Sequence, residues 1–306
     1  MTLDIEIDDL HLRYGELTAL DDVRLRLDGG KIHGLIGRNG AGKSSLLAIL
    51  AAFRKPTSGT VRIGGQPVFE NPEITHQVCL VRSTGDTVED DDKVEEALRF
   101  AERLRPAWDA ELAARLVDRF RIPSRHAIGK LSLGQRCALG VTIGLATRAP
   151  VTMFDESHLG MDAPSRYAFY DELLADFMAH PRTFVVSTHL IDEVSPLFEE
   201  VTILDRGRIL VHEPLDTLLA RGTAVTGPAA AVDRFVDGFD VLAEKRLGGT
   251  RSAMVYAAFD EGRRRWAAEA GLELGPLSLQ DLFVHLTQPT EPAEPAGSTS
   301  AAEEDA

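Results

Sequence analysis

Gly37-Arg38-Asn39-Gly40-Ala41-Gly42-Lys43-Ser44 fits the pattern G-x-x-x-x-G-K-S without a mismatch. Glycines in such a run let the backbone close tightly, so that successive N–H groups point inward at an anion. Lys43 then carries a positive charge to the β- and γ-phosphates of a nucleotide, and Ser44 offers its hydroxyl to Mg²⁺. Ser45 is grouped with the same nucleotide-binding set. The competing explanation is a chance glycine-rich turn; with glycine near 7% of positions, roughly one random chain of this length in a hundred would carry the pattern. Placement favours the phosphate loop, because residues 32–36 read as a strand and residues from Lys43 as a helix.

Val151-Thr152-Met153-Phe154-Asp155-Glu156 ends an apolar strand on two adjacent carboxylates, at the strand end where open α/β sheets gather ligands. Downstream of a phosphate loop, Asp155 is placed to hold hydrated Mg²⁺, and Glu156 to orient or deprotonate an attacking water. Taken alone, an acidic pair after a strand is ordinarily a solvated loop start; the upstream loop reverses that reading. Thr183-Phe184-Val185-Val186-Ser187-Thr188-His189 ends a second apolar strand on a histidine able to hydrogen-bond a γ-phosphate or the water. A lone histidine there is more often structural, but its strand would neighbour the Asp155 strand, which brings the two readings level. Leu131-Ser132-Leu133-Gly134-Gln135 precedes an apolar helix. Ser132 and Gly134 would present hydroxyl and N–H donors at its positive end, although an ordinary N-cap is the plainer explanation.

Holding these groups takes a sheet with helices around it. Leu3, Ile5 and Ile7 alternate with acids, and Val23, Leu25 and Leu27 with charged residues, which predicts antiparallel strands at the start of the chain. Apolar residues at helical spacing over residues 93–122 predict a helical insert, continuing to the Leu131–Gln135 motif in a helical region of about 93–135. Buried strands over residues 151–154 and 183–187, separated by a helical stretch, argue for an α/β core with a parallel centre. Asp205-Arg206-Gly207 reads as the turn of a hairpin. Residues 223–287 read as a small accessory unit without a motif, and 288–306 as a disordered acidic tail with little to bury.

Composition narrows the function classes. The chain has 306 residues, 44% of them apolar, a formal net charge of -15 and a pI near 5.0. That acidic balance opposes a nucleic-acid partner. Cys79 and Cys137 lack any CxxC or Cys/His spacing and read as small buried hydrophobes. The acidic, alternating N-terminus does not resemble a signal peptide, and no apolar run is long enough to span a membrane, so a membrane role would need a separate partner.

The order of phosphate loop, LSLGQ, strand-Asp155-Glu156 and strand-His189 resembles the nucleotide-binding domain of ABC ATPases, over residues 3–220. The resemblance implies a P-loop ATPase core with an N-terminal antiparallel β subdomain and a helical signature subdomain. Tyr14 is similar to the aromatic that stacks on adenine, LSLGQ to the signature LSGGQ, and His189 to the switch histidine. Leu159-Gly160-Met161-Asp162 resembles the loop after the catalytic glutamate, which would put Asp162 near a dimer seam. The same resemblance implies ATP and Mg²⁺ as cofactors, and a head-to-tail homodimer or heterodimer whose ATP lies between one phosphate loop and the other signature, completed by Ser132, Gly134 and Gln135. It also implies a separately encoded transmembrane permease, a cytoplasmic position on the inner face of the membrane, and export of a drug, peptide or other small compound.

Two departures stand out. Ser83 occupies the place of the family's glutamine, which predicts slower or differently coupled hydrolysis. Leu133 replaces the first glycine of the signature, while the donors at Ser132 and Gly134 remain. Glu89-Asp90-Asp91-Asp92 either meets a basic helix of the membrane partner or is a solvated helix start. Two rival functions are an ABC-type ATPase not coupled to transport, disfavoured by the single phosphate loop and the acidic balance, and a regulatory module impaired in hydrolysis, disfavoured by intact Lys43, Asp155, Glu156 and His189.

Overall fold

A computed structural model describes residues 2–83 and 90–288. The alternating N-terminal segments form the predicted antiparallel sheet. Its strands run Leu17–Leu27, Ile5–Tyr14, Ser58–Ile63 and Gln66–Pro67 in spatial order. The inward set Ile5, Ile7, Val23, Leu25, Val61 and Ile63 shares a core with Leu46, Leu47 and Leu50 of the phosphate-loop helix Lys43–Leu50.

Beside it lies a six-stranded sheet in the order Arg208–Pro214, Glu200–Asp205, Ile32–Ile36, Thr183–Thr188, Val151–Asp155, Val78–Arg82. The last five are parallel; the first pairs antiparallel with its neighbour as the hairpin turning at Asp205-Arg206-Gly207. Every residue of Ile32–Ile36, Val151–Asp155 and Thr183–Thr188 is buried. Coverage on both faces explains why these strands read as unbroken apolar runs instead of alternating ones. Their parallel sense puts the chain after Ile36, Arg82, Asp155 and Thr188 along one edge of the sheet, and that edge carries the chemistry.

The helical region consists of Val94–Leu104, Ala110–Arg119 and the signature helix Leu133–Ala146. Pro106 and Asp109 separate the first two, and the Asp109 carboxylate accepts the Leu112 N–H at 2.8 Å as an N-cap. Ten successive residues of the signature helix, Cys137 to Ala146, are buried, so it acts as the central post of this part of the core. Both cysteines are free and buried, and burial pushes both thiols up from their ordinary value.

Past Leu215–Ala220 the chain runs strand Gly222–Pro228, helix Ala229–Val236, strands Val241–Leu247 and Thr250–Tyr256, helix Glu261–Glu269 and strand Glu273–Pro276. The sheet order is Val241–Leu247, Thr250–Tyr256, Gly222–Pro228, Glu273–Pro276, antiparallel throughout. This is the split βαββαβ, ferredoxin-like arrangement. One sheet face packs Val225, Ala253 and Val255 against Val232, Phe235 and Ala267 of its helices. Ala224, Met254 and Tyr256 on the other face meet the main core near Leu218 and Leu282, the latter on the helix Leu279–Leu286. Of the disordered tail expected over 288–306, Gln288 is described and donates its N–H to the His285 carbonyl at 3.3 Å, while residues 289–306 lie outside the described residues, as do 84–89.

Candidate functional site

The phosphate loop closes where the sequence requires glycine. A Cβ at Gly37 would lie 2.5 Å from the Leu204 carbonyl oxygen, and Gly42 combines φ +109° with a Cβ position 2.6 Å from the Ala19 carbonyl oxygen. Both neighbours are backbone and cannot move aside, so any side chain there would open the loop. The Ala41 carbonyl accepts the Gly207 N–H at 2.9 Å, which ties the loop to the hairpin. Gly42 caps the helix Lys43–Leu50 without a side-chain acceptor, and no acid stands in the first turn. Its N-terminal N–H groups therefore face outward with the positive end of the dipole, free for an anion. Lys43 is buried and donates to the Gly37 carbonyl at 2.8 Å.

The carboxylates meet this loop from the neighbouring strand. Asp155 is buried; burial raises its carboxyl above the ordinary range, against the Ser44 and Ser187 hydroxyls beside it, which lower it. Its Oδ1 has no hydrogen-bond partner. A buried carboxylate oxygen left bare beside the Ser44 hydroxyl is a hard-oxygen donor set of the kind that suits Mg²⁺. Glu156 takes φ +51°, a conformation seldom adopted by a residue with a side chain, and this turns its carboxylate back over the loop. Glu156 Oε1 lies 3.3 Å from Lys43 Nζ, and its Oε2 lies 3.6 Å from Nδ1 of His189, whose side chain is 48% exposed. Ser83 donates its N–H to the Asp155 carbonyl at 3.0 Å, and Glu156 donates its own to the Ser187 carbonyl at 3.0 Å. Ser83, Glu156 and His189 thus come together on adjacent strand ends, with Lys43 and Ser44 below them.

Tyr14 reaches the same loop. Its hydroxyl is 3.4 Å from Ser45 Oγ, the residue is 39% exposed, and the Arg54 guanidinium stacks 4.8 Å from the ring centroid. Arg38 and Asn39 form the exposed outer bend, with the Ala41 N–H donating to the Arg38 carbonyl at 3.0 Å.

The signature lies elsewhere. Ser132 caps its helix through a reciprocal box, accepting the Gln135 N–H at 3.2 Å while Gln135 Oε1 accepts the Ser132 N–H at 3.1 Å. The N-cap is observed and leaves the Ser132 O–H available to donate. Leu133 is 60% exposed and covers Gly160, where a Cβ would lie 2.7 Å from its Cγ. Ser132, Gly134, Gln135 and Asp162 line one cavity of about 860 Å³ together with Arg119 and Arg121, and no phosphate-loop residue lines it. Asp162 caps the helix Ala163–Ala179 by accepting the Ser165 N–H at 2.9 Å, and the Ser165 hydroxyl, ahead of that N–H, holds its carboxyl below the ordinary range. Of the acidic run, Glu89 lies outside the described residues; Asp90 sits 3.2 Å from Arg136 on the signature helix.

Three residues at the site, Arg166, Glu193 and His158, escaped the sequence reading. Arg166 clamps Glu193 with two hydrogen bonds of 2.8 and 2.7 Å and donates to the Met161 carbonyl at 3.0 Å. His158 is buried against Thr188, the last residue of the strand before His189. None belongs to a spaced motif, and each partner comes from a different element.

Residues 20–158 match the family described as ABC transporter. The matched segment, a little under half of the chain, takes in the phosphate loop and the Asp155-Glu156 pair, and there the chain is similar to that family. It is 26% identical to the daunorubicin resistance ATP-binding protein DrrA3 of Streptomyces coeruleorubidus, over 92% of this chain and 95% of that protein. It is 27% identical to the Nod factor export ATP-binding protein I of Paraburkholderia xenovorans, over 92% and 96%. An ATP-binding cassette solved as a post-hydrolysis dimer with ADP and phosphate superposes with a TM-score of 0.57 at 22% identity, over 69% of this chain and 98% of that one. This last likeness concerns the fold.

Proposed function

We propose that this chain is the ATP-driven subunit of an exporter of small compounds, working as a dimer with a separate membrane permease. The carrying observation is a division of the site: Lys43, Asp155, Glu156 and His189 converge on one face, while Ser132, Gly134, Gln135 and Asp162 line a separate cavity. Each half lacks what the other holds. A second subunit docked head to tail would lay its signature on this chain's nucleotide, and a cassette of the same fold is dimeric with ADP and phosphate bound.

In the proposed cycle the loop N–H groups and Lys43 grip the phosphates, and Tyr14 seats the base. Ser44 and Asp155 would hold Mg²⁺, which would supply charge neutralisation to the phosphates. Glu156 takes a proton from the attacking water while His189 holds the γ-phosphate side of the site. Cleavage of the terminal anhydride then leaves ADP and phosphate, and the dimer reopens.

Export draws support from the names of relatives that match over most of their length, one a daunorubicin resistance protein and one a Nod factor export protein. No helix among the described residues is long and apolar enough to cross a membrane, so the translocation path would belong to a partner chain. A surface for it is available beside Ser83. A cavity of about 260 Å³ lined by Leu80, Arg82, Arg105 and Ile143 opens next to Phe53, whose ring carries the Arg82 guanidinium at 5.0 Å. Such attachment would hold the chain at the inner face of the membrane.

The test is co-expression with the neighbouring genes, affinity capture and assay of Mg²⁺-dependent ATP turnover. Recovery with a multi-span membrane protein that stimulates turnover supports the proposal. Capture with ribosomes or DNA would favour an ATPase uncoupled from transport, and absence of turnover even with the permease would favour a regulatory module.

A further inference from the structure

His158 has no exposed surface, and its Nε2 lies 2.9 Å from Thr188 Oγ1. The same hydroxyl oxygen accepts the Leu190 N–H at 2.9 Å. One oxygen therefore ties down the residues on both sides of His189. The imidazole is itself held by aromatic packing, stacked on Phe169 with centroids 6.0 Å apart and edge-on to Tyr170 at 5.7 Å.

Burial, ahead of the Arg166 charge, lowers the His158 pKa to about 4, while Glu193 opposes it; the ring is neutral at neutral pH. Nδ1 has no partner. An orphaned buried N–H is rarer than an orphaned acceptor, which favours the tautomer with the proton on Nε2 and His158 as the donor to Thr188. Two links then zip the carboxylate loop to the histidine loop: the Glu156 N–H on the Ser187 carbonyl, and the His158 Nε2–H on the Thr188 hydroxyl. His158 comes two residues after Glu156, and Thr188 immediately precedes His189. The second link thus sets where His189 stands relative to Glu156.

We infer that His158 is a positioning residue for ATP hydrolysis, holding His189 in register with Glu156 through Thr188. This rests on the proposed roles of Glu156 and His189 in hydrolysis. A misplacement of about 1 Å at a reacting group can cost on the order of 10²-fold in rate, so a single buried hydrogen bond has leverage here without touching nucleotide.

The experiment compares full-length wild type, Glu156→Gln, His158→Phe, His158→Gln, Thr188→Val and the His158→Phe/Thr188→Val double variant. Phenylalanine keeps the ring packing and removes the donor; glutamine keeps an N–H donor and loses the aromatic ring. The expected result is a kcat for His158→Phe lower by about 10- to 100-fold with the ATP KM within about twofold of wild type. His158→Gln recovers most of that loss. Thr188→Val matches His158→Phe, and the double variant is no worse than either single one, because all three break the same link. Amide exchange over residues 188–194 in nucleotide-free protein rises in His158→Phe and stays at the wild-type level in His158→Gln.

Wild-type kcat and exchange in His158→Phe would overturn the inference, as would equal losses in His158→Phe and His158→Gln, which would mean that packing alone matters. Failure of the hydrolytic assignment has a different signature, namely Glu156→Gln turning over like wild type. In that case the exchange comparison by itself upholds or overturns the hold of His158 on the His189 segment.

Discussion

Lys43 Nζ and Glu156 Oε1 lie 3.3 Å apart, joining the base of the phosphate loop to the carboxylate proposed to activate water. Without nucleotide, each neutralises part of the other's charge. Phosphates arriving at Lys43 supply a competing anion, and the Glu156 carboxylate becomes free to face the water. Replacing Glu156 with Gln keeps the size and removes the base. ATP turnover should fall by about 10²- to 10⁴-fold while ATP binding persists, and ATP with Mg²⁺ should convert the variant to a dimer on gel filtration. Turnover close to that of wild type would remove Glu156 from the chemistry.

Asp155 illustrates a cost of function. Its carboxyl is raised above the ordinary 3.8 by burial, so the folded state holds the proton more tightly than the unfolded one. Stability from this group therefore falls as pH rises from 3.8 through the raised folded-state value. Asp155→Asn should melt at a higher temperature than wild type at pH 7, with the gap narrowing as the pH is lowered toward 3.8. The same variant should lose Mg²⁺-dependent turnover. Equal melting temperatures at pH 7 would contradict the burial argument.

Tyr14 sits against Ser45 and under Arg54, already oriented for a flat ligand. Loss of one base-stacking surface costs about 1–3 kcal/mol. Tyr14→Ala should thus raise the ATP KM by about tenfold or more and leave kcat nearly unchanged, as read from steady-state kinetics. Tyr14→Phe should behave like wild type.

Ser83 is anchored by its backbone to Asp155, but its side chain is too short to reach as far as glutamine would. Ser83→Gln should raise basal turnover and alter its stimulation by the permease. If both rates match wild type, the departure at this position carries no kinetic meaning.

A structural control lies at the opposite edge of the sheet. Asp176 pairs with both Arg148 and Arg182, the latter at 2.6 Å and buried. Asp176→Ala strands the buried Arg182 guanidinium, while Arg148 keeps Asp109 at 2.7 Å, and should destabilise the fold by about 3–5 kcal/mol. Turnover per folded molecule should hold, which chemical denaturation and an active-site titration can separate.

How far the sequence reached depended on the range of the interaction. The phosphate loop was legible because its work is local: Gly37, Gly42, Lys43 and Ser44 act through one turn of backbone, and their spacing is the geometry. The buried strands ending at Asp155 and His189 were legible because coverage on both faces demands continuous apolar residues. The signature was legible as a helix start, since Ser132 and Gln135 cap within four residues. His158 left no trace in spacing; its meaning comes from Thr188 and Phe169, on other elements. The ferredoxin-like order of the last sheet was hidden for the same reason, because its short strands pair out of sequence.

By itself, then, the sequence determined where a phosphate loop forms and which strands end on acid and histidine, through patterns that repeat along a few residues of backbone. Only the tertiary structure decided that Lys43 meets Glu156, that Glu156 meets His189, and that the signature faces a different opening. Those distances are set by the parallel register of strands far apart in the chain, and register is a property of the packed sheet as a whole.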